Sequence, residues 1–156
     1  MQKSYPTLFE SANVLDIGSR DFNGSNRYLF TGGTYTGVDS MPGPNVDLVS
    51  RAHEIDLPDG SFDMIVSTEM LEHDQFRAKS LARMVKMLKT GGHLLITCAA
   101  PGRPVHGIDE YSGGDPYYQN VDAKTLLREL GRQMHCLNIE DTRKGHCDLY
   151  YFGRKL

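Results

Sequence analysis

Short apolar runs alternate along the chain with polar, glycine-rich breaks, and the runs differ in period. "NVLDIG" (Asn13–Gly18) and "SFDMIVST" (Ser61–Thr68) are nearly continuous apolar stretches, too short for helices. They predict strands covered on both faces, as in a parallel sheet. "YTGVDS", ending at Ser40, and "VDLVS", ending at Ser50, predict two further strands around the turn "MPGPN". "HLLITCAA" (His93–Ala100) predicts a fifth. Leu81, Met84, Val85 and Leu88 recur at helical spacing, and the "TGG" at Thr90–Gly92 is expected to stop that helix. "GSNRYLF" (Gly24–Phe30) predicts a short helix closed by "TGGT". "DAKTLLRELGRQM" (Asp122–Met134) predicts another, with Leu126, Leu127 and Leu130 on one face. "CLNIEDT" and "CDLYYFG" close the chain as strands joined by "RKGH", a hairpin-length link that makes them antiparallel. The alternation predicts an α/β fold: a Rossmann-like, doubly wound, mostly parallel sheet with an antiparallel C-terminal strand.

At 156 residues, the chain is expected to form one domain, 1–156. Its net charge of −3 is spread along the sequence with no basic run, so a nucleic-acid partner is not expected. No apolar stretch reaches the roughly 18 residues that span a bilayer, and the first residues carry no apolar signal segment. Cys98, Cys136 and Cys147 are odd in number and lack a paired spacing, which predicts reduced thiols and a cytoplasmic location.

In such sheets a ligand sits beyond the carboxyl ends of the strands, at the switch point beside the first strand. Three loops meet there: Gly18–Gly24, Asp39–Ser40 and Ser67–His73. A dinucleotide fingerprint needs G-x-G-x-x-G, so that backbone can approach a pyrophosphate. Here the second glycine is Arg20, and Asp16 and Asp21 make the loop acidic, which also disfavours a nicotinamide cofactor. The pattern suits a ligand bearing a cation and no phosphate. Asp39, at the end of the second strand, can accept both hydroxyls of a ribose. S-adenosylmethionine combines that ribose with an ammonium and a sulfonium.

"VLDIGSRDFNGS", "YTGVDSMPGPNVDLV", "LPDGSFDMIVSTEMLEHD", "MVKMLKTGGHLLITCAAPG" and "HGIDEYSGGDPYYQN" follow one another at natural spacing from Asn13 to Asn120. In these motifs the chain resembles class I S-adenosylmethionine-dependent methyltransferases of the small type 11 group. The resemblance implies that Asp16 and Gly18, with Ser19 and Arg20 of the same loop, line the methionine part of the cofactor. It implies that Asp39 holds the ribose beside Ser40, that Ala52 and His53 lie along the adenine, and that Thr68 and Glu69 face the sulfonium. Two departures stand out. Arg20 occupies the place of a common glycine and is expected to bring a guanidinium to the methionine end. Arg51 replaces the acid that usually accepts the adenine amino group, so adenine contacts are expected from backbone and Ile55, with Asp56 offset.

Methyl transfer asks little of side chains, because the methyl group is already activated and positioning supplies most of the barrier reduction. A base is needed only where the acceptor must lose a proton. His106, in the long loop Pro101–Val121, is the first candidate for that role, and His73, in "MLEHD", the second. Asp109, Tyr111, Tyr117, Tyr118 and Asn120 of the same loop are candidates for acceptor binding. The six histidines pair with no carboxylate at a metal spacing in the sequence, so no catalytic metal is expected. With about a dozen residues ahead of the first strand, a lid is expected from the Pro101–Val121 loop, a large substrate, or a partner subunit or second copy. The activity expected is methyl transfer to an unidentified acceptor; the alternative is a cofactor-binding, non-catalytic subunit of a larger assembly.

Overall fold

The computed structural model describes residues 3–22, 24–107, 117–142 and 146–156. Its strands are β1 (Asn13–Ile17), β2 (Thr34–Asp39), β3 (Leu48–Val49), β4 (Phe62–Thr68), β5 (Leu88–Ala99), β6 (Met134–Thr142) and β7 (Asp148–Lys155). Three α-helices accompany them: α1 (Pro6–Glu10), α2 (Arg77–Met87) and α3 (Ala123–Leu130). The seven strands form one sheet in the order β3-β2-β1-β4-β5-β7-β6. Pairing is parallel from β3 through β5, whereas β7 runs antiparallel to both β5 and β6. The strand order reverses between β1 and β4, so the crevice at their carboxyl ends is the switch point.

The apolar runs of β1 and β4 divide their side chains between two cores, as a period of two requires. Leu15, Ile17 and Ile65 pack on one face with Leu81, Met84 and Val85 of α2 and Leu126 and Leu130 of α3. Val14, Met64 and Val66 pack on the other with Leu8 and Phe9 of α1 and Phe152 of β7. Asp122 caps α3 by accepting from the Thr125 amide at 2.9 Å, and Gly131 ends it at positive φ. The Arg77 guanidinium makes a two-pronged contact with Glu129, at 2.9 and 3.2 Å, that joins α2 to α3.

Three sequence expectations are corrected. Gly24–Phe30 forms only a single 3₁₀ turn, Arg27–Leu29: Tyr28 points outward at 77% exposure, while Leu29 and Phe30 pack on the second core without a helical period. Helix α2 ends at Met87, and Leu88 opens β5 by pairing with Phe62. The "TGG" therefore lies inside β5 at a register shift, with Gly91 at φ +80°. Leu127 is exposed, while Leu126 and Leu130 are buried. Among the described residues no helix is long and apolar enough to cross a membrane.

Candidate functional site

The loops after β1, β2 and β4 line one cleft of about 400 Å³ at the switch point, joined by Arg51–His53, Phe76, Arg103 and His106. Its volume lies in the range of small-molecule sites. Gly18 makes the first turn at φ +86°, and both its amide and that of Ser19 donate to the Val38 carbonyl, at 2.8 and 3.1 Å. A Cβ on Gly18 would lie 2.7 Å from the Met70 Cβ, so only glycine lets the first and fourth loops approach this closely. Ser19 is buried, and its hydroxyl donates to the Asn45 carbonyl at 3.1 Å. It ties the first loop to the β2–β3 turn and offers the cleft its backbone.

Asp39 stands at the end of β2, its carboxylate accepting from the Arg20 amide at 3.2 Å and the Met41 amide at 3.0 Å. Ser40 lies beside it on the cleft wall. Arg20 lines the cleft. Its side chain lies against the backbone of Gly43 and over the Phe22 ring, 4.3 Å from the centroid, on the side of the β2–β3 turn.

Asp16 is 1% exposed. Its Oδ2 accepts from the Tyr35 hydroxyl and, at 3.4 Å, from the Asn26 amide, while its Oδ1 is buried with no hydrogen-bond partner. Burial pushes its pKa from 3.8 up to about 6, against the hydrogen bonds from Tyr35 and Asn26, which lower it. Asn26 also donates to the Thr68 hydroxyl at 3.1 Å, so a single amide braces the ends of β1 and β4. The sequence does not single out Asn26. Its only signal there is a polar residue two positions after Gly24.

Ala52 and His53 form a 3₁₀ turn on the far wall. The His53 ring packs on Phe76 at 4.3 Å between centroids, an aromatic wall of which the sequence reveals only the histidine. Ile55 is 2% exposed and belongs to the core, so it does not serve the cleft as expected. Arg51 lines the cleft, and Asp56 does not.

Thr68 and Glu69 close the fourth side. Glu69 is held at φ 53°, a left-handed conformation rare outside glycine, by its amide donating to the Thr97 carbonyl at 2.8 Å. Its carboxylate accepts from the Thr97 hydroxyl at 2.9 Å and pairs with Arg103 at 3.1 Å, which in turn pairs with Asp148.

Beside it, Glu72 is fully buried. One of its oxygens accepts from the Ala99 amide at 3.2 Å, and burial pushes its pKa up to about 7. His73, His106 and Tyr118 form a triangle of edge-on rings, with centroids 5.2–5.6 Å apart. Burial, and secondly the neighbouring His106, hold the His73 imidazole down at about 4. His106 Nδ1 lies 3.1 Å from the Pro104 carbonyl, which can only accept. The same Nδ1 lies 3.1 Å from the Tyr118 hydroxyl, which can donate or accept, so these contacts are compatible with either tautomer. His73 and His106 line the cleft. Tyr117 and Asn120 do not: Tyr117 donates to the Gln119 side chain at 2.7 Å, and Asn120 to the Arg103 carbonyl at 2.9 Å. Asp109 and Tyr111 lie outside the described residues.

A cleft at the switch point with carboxylates at the ends of β1 and β2 is built for a ligand with a cation and a diol. The buried, unpartnered Oδ1 of Asp16 fits an ammonium, and Asp39 on the rim fits a ribose. A family model described as "Methyltransferase domain" matches residues 15–96, more than half of the chain. No curated protein matches the sequence significantly. Among solved structures, the chain is similar to the 1,6-didemethyltoxoflavin-N1-methyltransferase of Burkholderia thailandensis, with bound 1,6-didemethyltoxoflavin and S-adenosylhomocysteine. That similarity has a TM-score of 0.72 at 20% identity, over 97% of this chain and 74% of the other. It is also similar to an S-adenosylmethionine dependent methyltransferase from Mesorhizobium loti, with a TM-score of 0.73 at 17% identity over 97% of both chains. The N-methyltransferase NodS of Bradyrhizobium japonicum matches with a TM-score of 0.67 at 18% identity, over 99% of this chain and 93% of its own. At these identities the structures establish the fold, and the family model establishes the family: the chain belongs to the methyltransferase-domain family and is an S-adenosylmethionine-dependent methyltransferase.

Proposed function

We propose that the cleft holds S-adenosylmethionine with its amino-acid end at Asp16 and the Gly18–Arg20 backbone, its ribose at Asp39 and Ser40, and its adenine between Ala52, His53 and Phe76. Thr68 and Glu69 then flank the sulfonium, and the acceptor enters past His73, Arg103 and His106. The observation that carries this reading is the pair of carboxylates, Asp16 and Asp39, set around a glycine turn that lacks a phosphate-binding fingerprint. When bound, the cofactor supplies an activated methyl group. The chain's own work is to orient the two reactants and exclude water. Where the acceptor carries a hydroxyl, the His106 imidazole on the cleft wall is the group disposed to take its proton. The chain works as one domain, and its three cysteines, odd in number and without a paired spacing, support a reducing, cytoplasmic setting.

Incubating the purified chain with methyl-labelled S-adenosylmethionine and fractionated small-molecule extracts tests the activity. Transfer of label into an extract component, with release of S-adenosylhomocysteine, is expected; cofactor binding without transfer to any fraction would favour a non-catalytic subunit.

Asp16 gives the reading a pH signature. Without cofactor its folded pKa is raised from 3.8 to about 6. Its contribution to stability is therefore full below pH 4 and lost as the pH rises through about 6. An ammonium needs the ionised carboxylate, so affinity has the opposite slope. S-adenosylhomocysteine should bind more weakly at pH 5 than at pH 7.5, and Asp16→Asn should flatten that dependence while lowering affinity at pH 7.5. Titration calorimetry at the two pH values measures both; equal pH dependence in the two proteins would remove Asp16 from the site.

A further inference from the structure

We propose that Glu72, His73 and His106 form a site for one divalent first-row transition-metal ion on the acceptor side of the cleft, where the ion holds an oxygen of the acceptor. A ring nitrogen of each histidine and a carboxylate oxygen of Glu72 lie within 4.8 Å of one another. Ligand atoms about 2.1 Å from a tetrahedral ion stand roughly 3.4 Å apart, so an inward movement of about 1 Å closes the set. The imidazoles are already arranged for it. Their rings are perpendicular with centroids 5.6 Å apart, and two imidazoles on one ion place theirs at about 5.3 Å.

Two further observations point to a cation here. Glu72 Oε2 and His73 Nδ1 are both buried without a hydrogen-bond partner, a state that buried polar atoms rarely keep. The surrounding charge is also unbalanced: two carboxylates, Glu69 and Asp148, both pair with the single guanidinium of Arg103. The sequence hides the site because His106 stands 33 residues beyond His73 and reaches it only through the loop after β5.

Two imidazoles and one carboxylate suit ions such as zinc, cobalt(II) or manganese(II), and three protein ligands leave a position open, as in catalytic sites. Because His73 and His106 line the cleft next to Thr68 and Glu69, that position faces the acceptor. The inference rests on the assignment of the cofactor to the same cleft. It narrows the acceptor to a molecule with an oxygen donor, in the first instance a hydroxyl. Coordination lowers the pKa of that hydroxyl; its O–H bond breaks with the electron pair staying on oxygen, and the proton passes to water.

The test uses untagged full-length chain, freed of metal with a chelator and titrated with cobalt(II) while the visible absorption is recorded. One cobalt per chain is expected, with the intensified bands of nitrogen and oxygen coordination and displacement by zinc. His106→Ala and Glu72→Gln should each weaken cobalt binding at least tenfold, the first from an accessible loop and the second without changing shape. No spectral change at millimolar cobalt, or an unchanged affinity in both variants, would overturn the site. A parallel titration with S-adenosylhomocysteine separates the two claims. Cofactor binding without cobalt binding sinks the metal site alone, and cobalt binding without cofactor binding sinks the cofactor assignment.

Discussion

Asp39→Ala is expected to weaken S-adenosylhomocysteine binding by roughly 10- to 150-fold and to leave the cofactor-free fold almost unchanged. The magnitude follows from losing the charged acceptor of the ribose hydroxyls, worth about 1.5–3 kcal/mol in all. In the proposed arrangement the carboxylate serves twice, accepting from the ribose hydroxyls and fixing the Arg20 and Met41 amides that shape the rim. Those amides lie near the surface, so water replaces the lost partner and the apolar core is untouched. Comparing dissociation constants by calorimetry and melting temperatures without ligand checks both halves. An unaltered dissociation constant would mean that the ribose is held elsewhere, away from the end of β2.

The second large effect concerns His106→Ala, which should lower methyl transfer to a hydroxyl acceptor by roughly 10²–10⁴-fold, as for loss of a general base. Cofactor affinity should stay near wild type, because Asp16, Gly18 and Asp39 are anchored through β1, β2 and Asn26. The same loss follows whether His106 takes the proton itself or holds the ion that acidifies the hydroxyl. The pH profile distinguishes them: a base leaves residual activity that grows with pH in the variant, whereas a ligand leaves activity dependent on added metal. A variant that loses cofactor binding but keeps its acceptor kinetics would overturn this division of the cleft.

The parts of the fold legible in the sequence are those whose residues satisfy one burial demand. Val14, Leu15 and Ile17, like Met64, Ile65 and Val66, are all buried, and a short unbroken apolar run can mean little else once turns flank it. Helix α2 is legible through Leu81, Met84 and Val85. Its end is not, because Leu88 satisfies the helical spacing and the strand equally; pairing with Phe62 decides the matter. Tyr28, Leu29 and Phe30 give apolar density without a period, and the chain makes only one turn there. In the site, the place of Asp16, Gly18 and Asp39 on the cleft wall is legible because it depends only on where β1 and β2 end. Glu72 is hidden because its approach to His106, with ligand atoms within 4.8 Å, exists only in space. Arg20 lines the cleft, and its lie against Gly43 is hidden because Gly43 stands on another loop.

The central claim is that this cleft takes S-adenosylmethionine and not a phosphate-bearing nucleotide. Titration of the purified chain with S-adenosylhomocysteine, NAD and ATP in turn, followed by calorimetry and by thermal shift, tests it most directly. The account predicts one site for S-adenosylhomocysteine, a melting temperature that rises with ligand concentration as binding to the native state requires, and no displacement by NAD or ATP. Heat and stabilisation from NAD, or silence from S-adenosylhomocysteine at millimolar concentration, would contradict it.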